Sequence, residues 1–141
     1  MEGPETLIVD TGILVASLDK RDHWHPWVLE QTRVLRGPLH TCEAVLTEAC
    51  FLVSLKPAAL RQLAAWIESG TLCIDHGSPE MVTRSFELMK TYHDVPMSYA
   101  DACIVSMAEA VPRARVFTLD ADFRIYRLRN RRVIPLLAPF V

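Results

Sequence analysis

Met97-Ser-Tyr-Ala-Asp-Ala-Cys-Ile-Val-Ser-Met-Ala-Glu-Ala110, a break at Pro112, and then Val116-Phe-Thr-Leu-Asp-Ala-Asp-Phe123 decide the fold of this chain. Asp101 falls in the first turn of a helix. Ile104, Val105 and Ala108 follow at helical spacing, so Asp101 shares the apolar stripe. An inward carboxylate is costly unless something pairs with it. The next segment, Val116 to Leu119, reads as a buried strand that delivers Asp120 at its end. A helix start and a neighbouring strand end thus each present an acid.

Working outward, Leu7-Ile8-Val9 reads as a first strand closed by Asp10-Thr11-Gly12. Helical stretches are expected at Ile13–Leu18 and Trp27–Leu35, and a second strand at Leu39–Thr41. Thr41 is placed to cap a helix running through Leu55, with Pro57 stopping it. Ala58–Ser69 reads as helix, Thr71–Ile74 as a third strand, and Pro79 opens a helix to about Tyr92. A short helical turn near Phe123–Leu128 and a last strand around Val133–Leu136 complete the chain. Short apolar strands alternating with helices predict an α/β fold, with a parallel sheet covered on both faces. In such sheets the working site lies beyond the carboxyl ends of the strands, where Asp10 and Asp120 sit.

The 141 residues, 50% hydrophobic and 23% charged, suffice for one domain with a sizeable core, taken as residues 1–141. No apolar run approaches the ~18 residues of a membrane span. The acidic start, Met-Glu-Gly-Pro-Glu, lacks a signal-peptide n-region. Cys42, Cys50, Cys73 and Cys103 form no Cys-x-x-Cys pair and read as reduced thiols of a cytoplasmic protein. The net charge of −2 hides an asymmetry: residues 1–112 carry eight Lys/Arg against fifteen Asp/Glu, and residues 113–141 carry seven Arg against two Asp. That basic end is able to meet an anionic polymer.

Glu48 is the fourth acid of interest, because Val45, Glu48, Ala49 and Leu52 fall on one helical stripe. Each of the four has a local explanation. Asp10 fits a helix cap, Ser98-x-x-Asp101 a capping box, Asp120 a turn, and Glu48 an arginine pair. Four separate explanations compete with one shared site. Clustered carboxylates would take up protons unless neutralised. Oxygen-only ligands suit Mg²⁺ or Mn²⁺ and not zinc. One or two such ions can activate a water and orient it in line with a phosphodiester.

At these residues the chain resembles the PIN-domain family, and within it the VapC-like toxin ribonucleases. The matching pieces are Leu7–Gly12, Thr47-Glu48, Ser98–Ala102 and Val116–Phe123. The resemblance implies an α/β/α sandwich and Mg²⁺- or Mn²⁺-dependent cleavage of single-stranded RNA, leaving a 5′-phosphate and a 3′-hydroxyl. The family's acids fall on Asp10, Glu48, Asp101 and Asp120, which would serve as metal and catalytic residues. Asp122 is an extra or substitute acid, and Thr11 and Thr118 would orient ligands. A toxin role implies a neighbouring antitoxin protein and a homodimer. RNA-processing nucleases and inactive RNA- or protein-binding modules share the fold and are the alternatives.

Arg124-Ile-Tyr-Arg-Leu-Arg-Asn-Arg-Arg132 follows directly. Arg124 is the best candidate for an RNA phosphate, with Tyr126 available for stacking. The remaining arginines read as a solvated face. His23-Trp24-His25 lacks a third metal ligand, and Met81, Phe86, Met89 and Met107 read as core filler. Asp19, Asp22, Glu30, Glu68, Glu80, Glu87 and Glu109 read as solvated acids. Asp10-Thr11-Gly12 also spells the aspartic-protease triplet, which belongs to an all-β fold. Phosphatase-like and receiver-like domains would need a second acid at position 12 or a late lysine, and here Gly12 and Lys90 stand against them.

Overall fold

Five short strands carry the fold: β1 (Thr6–Val9), β2 (Leu39–Cys42), β3 (Leu72–Asp75), β4 (Ala114–Phe117) and β5 (Leu136–Leu137). They form one sheet in the order β3-β2-β1-β4-β5, with every neighbouring pair parallel. This is a computed structural model, and it describes residues 4–141. Six helices connect and cover the strands: α1 (Thr11–Leu18), α2 (His25–Val34), α3 (Glu43–Leu52), α4 (Pro57–Glu68), α5 (Pro79–Thr91) and α6 (Tyr99–Ala110). Among the described residues no helix is long and apolar enough to cross a membrane.

The centre of the sheet is buried on both faces, as a parallel sheet must be. Ile8, Val9, Val116 and Phe117 have no exposed surface. From β1 the chain moves outward through β2 to β3, then returns to the other side of β1 to lay down β4 and β5. Right-handed crossovers then put α1, α2 and α4 on one face and α5 and α6 on the other. The contacts agree, since α1 packs on α2 and α4, and α5 packs on α6. Three layers result. The reversal falls between β1 and β4, where connections leave toward opposite faces and a crevice opens at the strand ends. β1 and β4 are in register from Thr6↔Ala114 to Val9↔Phe117. One further bond, from the Asp10 amide to the Phe117 carbonyl at 3.0 Å, carries the pairing to the rim of that crevice.

Several elements differ from the sequence expectation, each for a local reason. Thr41 is not a helix cap: it lies within β2, fully buried, and its hydroxyl donates to the Val9 carbonyl at 2.8 Å. Helix α3 therefore starts at Glu43, with Cys42 as an N-cap that makes no side-chain bond. Pro57 opens α4 instead of stopping α3, because a first-turn position needs no N–H donor. Strand β4 ends at Phe117, not Leu119, because Thr118 accepts the Asp120 amide at 2.9 Å and turns the chain. The last strand is only Leu136–Leu137. Val133 pairs antiparallel with Arg127, and Pro135 has no N–H to give to a ladder.

Two side chains are also reversed. Phe86 is 61% exposed and is not core filler. Glu109 is not a solvated acid: its side chain is 5% exposed, and Arg84 donates to both of its oxygens at 2.9 Å. All four cysteines are free thiols, as expected.

Candidate active site

Asp10, Glu48, Asp101 and Asp120 line one open cleft of about 370 Å³ beyond the carboxyl ends of β1 and β4. Asp10, Asp101 and Asp120 each bring a carboxylate oxygen within 4.8 Å of the other two. Among the described residues no lysine, arginine or histidine forms an ion pair with any of the four. Three of the four local explanations weighed from sequence hold as well. Asp10 is the N-cap of α1, accepting from the Thr11 amide at 2.7 Å. Asp101 is the N3 residue of a capping box, its Oδ2 accepting from the Ser98 amide at 3.0 Å. Asp120 caps a 3-10 turn, Ala121–Arg124, by accepting from the Asp122 amide at 2.9 Å. Capping is the means by which the backbone aims three acids at one place. Each also stands at a helical start, where backbone N–H groups favour negative charge.

Thr118 is the hinge of the constellation. Fully buried, it accepts the Asp120 amide and donates its hydroxyl to Asp10 Oδ2 at 2.8 Å. Thr11 does a matching job on the other side, donating to Glu48 Oε2 at 2.8 Å. Glu48 itself is exposed, as is Leu52. The buried stripe of α3 is Val45 and Ala49, so Glu48 lies on the cleft rim and not toward the core. Its partner is a threonine, not an arginine.

Thr118→Val keeps the shape but leaves a buried carboxylate oxygen and a backbone amide without partners. We expect it to destabilise the protein by about 2 kcal/mol. The check is a lower urea midpoint at unchanged slope.

Burial pushes the Asp10 carboxyl up to about 6, against the lowering effect of its Thr118 and Thr11 bonds, and the Asp101 and Asp120 charges raise it further. Asp101 is likewise raised, first by burial, with Asp120 and Glu48 adding to it. Both groups therefore ionise less readily than free carboxyls, and a nearby positive charge would favour their ionised forms. The donor set is all oxygen and the spacing is that of a shared ligand, which fits a hard divalent cation such as Mg²⁺ or Mn²⁺. A separate hollow of about 250 Å³ near Leu14, Leu29 and Trp66 holds no titratable side chain and offers no comparable chemistry.

The remaining sequence candidates lie elsewhere. Asp122 does not line the cleft; its amide orients Asp120. Arg124 is exposed beside the 3-10 turn, its guanidinium 5.1 Å over the Phe140 ring. Tyr126 cannot stack on RNA, because it has no exposed surface. Arg129 and Arg132 line a hollow with Ala110 and Ala114 at the opposite end of the sheet. They are separated from Asp101 by the nine residues of α6 up to Ala110, about 14 Å, so this end of the arginine tract does not cover the cleft. None of the five histidines lines it. The sequence reading offered Tyr126 for stacking, and its place in an arginine-rich tract gave no hint that its hydroxyl faces the acids.

A sequence-family model described as PIN domain matches residues 7–128. No curated protein matches the chain. Among solved structures, this chain is similar to Mycobacterium tuberculosis VapC20, a sarcin–ricin-loop-cleaving toxin. The TM-score is 0.75 at 18% identity, over 83% of this chain and 92% of that one. It is also similar to Rickettsia felis VapBC2, solved bound to a DNA fragment from its promoter. There the TM-score is 0.62 at 20% identity, over 94% of this chain and 98% of that one. Identities this low carry the fold.

Proposed function

The chain belongs to the PIN-domain family, and on that premise we propose that it is a Mg²⁺- or Mn²⁺-dependent endoribonuclease of single-stranded RNA, acting as one nuclease domain and serving as the toxin of a toxin–antitoxin pair. The observation that carries the reading is the set of three carboxylates within 4.8 Å, with which no cationic side chain among the described residues forms an ion pair. Asp10, Asp101 and Asp120 would hold the cation, and Glu48 would reach it directly or through water from the rim. When bound, the cation supplies Lewis-acid polarisation of the scissile phosphate and a more acidic attacking water.

The chain's own groups do the positioning. Thr118 fixes the Asp10 carboxylate and the turn that presents Asp120. Thr11 fixes Glu48, which faces the solvent side and is placed to orient water. The Ser98 cap holds one Asp101 oxygen. Arg124, exposed at the end of the turn that Asp120 caps, is the candidate to meet a phosphate flanking the cut. Two features favour the toxin role: both similar structures come from VapC or VapBC systems, and Phe51, Leu52 and Leu55 lie exposed beside Glu48. That apolar surface would be covered by an antitoxin or by a second copy of the chain.

Purified protein is expected to cut a mixed-sequence single-stranded RNA in Mg²⁺ or Mn²⁺ and to stop when a chelator is added. Retention of RNA in chelator, with no turnover in either metal, would make the protein a binding module instead. Growth arrest on expression, relieved by co-expressing the adjacent open reading frame, separates a toxin from an RNA-processing enzyme.

A further inference from the structure

Tyr126 is among the largest fully buried side chains of the protein. Its amide donates to the Asp122 carbonyl at 3.3 Å, just after the turn that presents Asp120. Tyr92 and Phe123 grip its ring edge-on, with centroids 5.1 and 5.2 Å away. A ring held on two sides cannot swing to find another partner. Yet its hydroxyl has none: among the described residues it is the one buried side-chain polar atom without a hydrogen bond. Buried tyrosine hydroxyls normally find an acceptor, and leaving one unmet costs about 1–3 kcal/mol. Phenylalanine would fill the same space without that penalty.

The surroundings of the hydroxyl indicate its use. Asp101 stands within reach to accept from it, and Asp122 and Asp120 are its other charged neighbours. The neighbouring Tyr92 hydroxyl is already engaged, accepting the Arg127 amide at 2.9 Å. Asp101 has one oxygen held by the Ser98 amide and needs a second restraint to present a fixed face to the cleft. Carboxylates that ligate a metal are themselves oriented by such outer donors.

We propose that the Tyr126 hydroxyl is the positioning donor for Asp101, closing its hydrogen bond when a divalent cation occupies the cleft and thereby setting cation affinity. This rests on the reading of the cleft as a metal site. A carboxylate drawn toward a cation is held in one orientation, and a donor fixed behind it favours that same orientation, so the bond and cation binding support each other. Asp101 is then held from two sides, by a backbone amide and by a phenol, which leaves its remaining lone pairs facing Asp10 and Asp120.

The test is Mn²⁺ binding followed by the resonance signal of free Mn²⁺, together with melting in chelator, for wild type and Tyr126→Phe. The variant is expected to bind Mn²⁺ about 10-fold more weakly, while its metal-free melting temperature stays the same or rises. Affinity within twofold of wild type overturns the assignment of Tyr126. No Mn²⁺ binding by wild type overturns the reading of the cleft itself, so the two failures are told apart. A second measurement keeps the native residue. With tyrosine ring carbon labelled beside the hydroxyl, one of the three tyrosine signals should shift on adding Mg²⁺ to wild type. It should not shift in Asp101→Asn. A Tyr126 signal indifferent to Mg²⁺ in wild type also overturns the proposal.

Discussion

Asp101→Asn is expected to lower metal-dependent RNA cleavage by at least about a hundredfold, while the metal-free protein melts no lower than wild type. The asparagine side-chain oxygen still accepts the Ser98 amide, so the capping box that starts α6 survives. What disappears is a negative charge facing Asp120 and Glu48, the neighbours that help raise the Asp101 carboxyl. Removing one of several repelling, partly buried acids relieves the metal-free fold and damages the site that needs them. Sites built for function commonly show this opposition between stability and activity. The measurement pairs single-turnover cleavage in Mn²⁺ with calorimetry in chelator. Undiminished cleavage would take Asp101 out of the mechanism, and a large fall in melting temperature would mean that its role is structural.

In chelator, stability should fall as pH rises through the window from the ordinary carboxyl value of 3.8 to about 6, where Asp10 titrates in the folded protein. Between those values the folded chain holds a proton on Asp10 that the unfolded chain has already released. The folded state therefore binds more protons, and stability declines with pH. The contribution is fully present below 3.8 and lost above about 6, and it amounts to about 3 kcal/mol. For a domain of this size that is on the order of 10 °C in melting temperature. Asp10→Asn lacks the group and should lack this part of the pH slope, so the difference between the two proteins isolates it. Mn²⁺ should reverse the trend, stabilising wild type more at pH 7 than at pH 5, because it binds the ionised form. A wild-type slope matching that of Asp10→Asn in chelator would show that Asp10 ionises as freely as in the unfolded chain.

Much of this site was legible because its acids obey local rules. Asp10, Asp101 and Asp120 sit at element ends that propensity and spacing locate, and the parallel-sheet reading puts those ends on one side. The capping explanations and the shared-site explanation proved compatible, since caps fix side-chain direction. Glu48 was less legible: α3 turns on Val45 and Ala49, and the stripe drawn through Leu52 points the wrong way. The later arginines were rightly read as a face apart from the acids, because the chain runs from the top of the sheet to its foot before β5 and carries Arg129 and Arg132 with it. Tyr126 was read as a stacking surface because an aromatic interleaved with arginines suggests RNA contact, and that pattern does not reveal that the ring is buried. The short ends of β4 and β5 depend on Thr118 and Pro135, single residues that override strand propensity.

The bond from Thr118 to Asp10 joins residues 108 positions apart. During synthesis the first acid leaves the ribosome long before its partner strand exists, and nothing local can bring the rest of the cleft to it. The cleft of a nascent chain therefore stays unassembled until β4 has emerged and threaded in beside the first strand. Such long-range closure is slow, so the three acids meet only after most of the chain has been made.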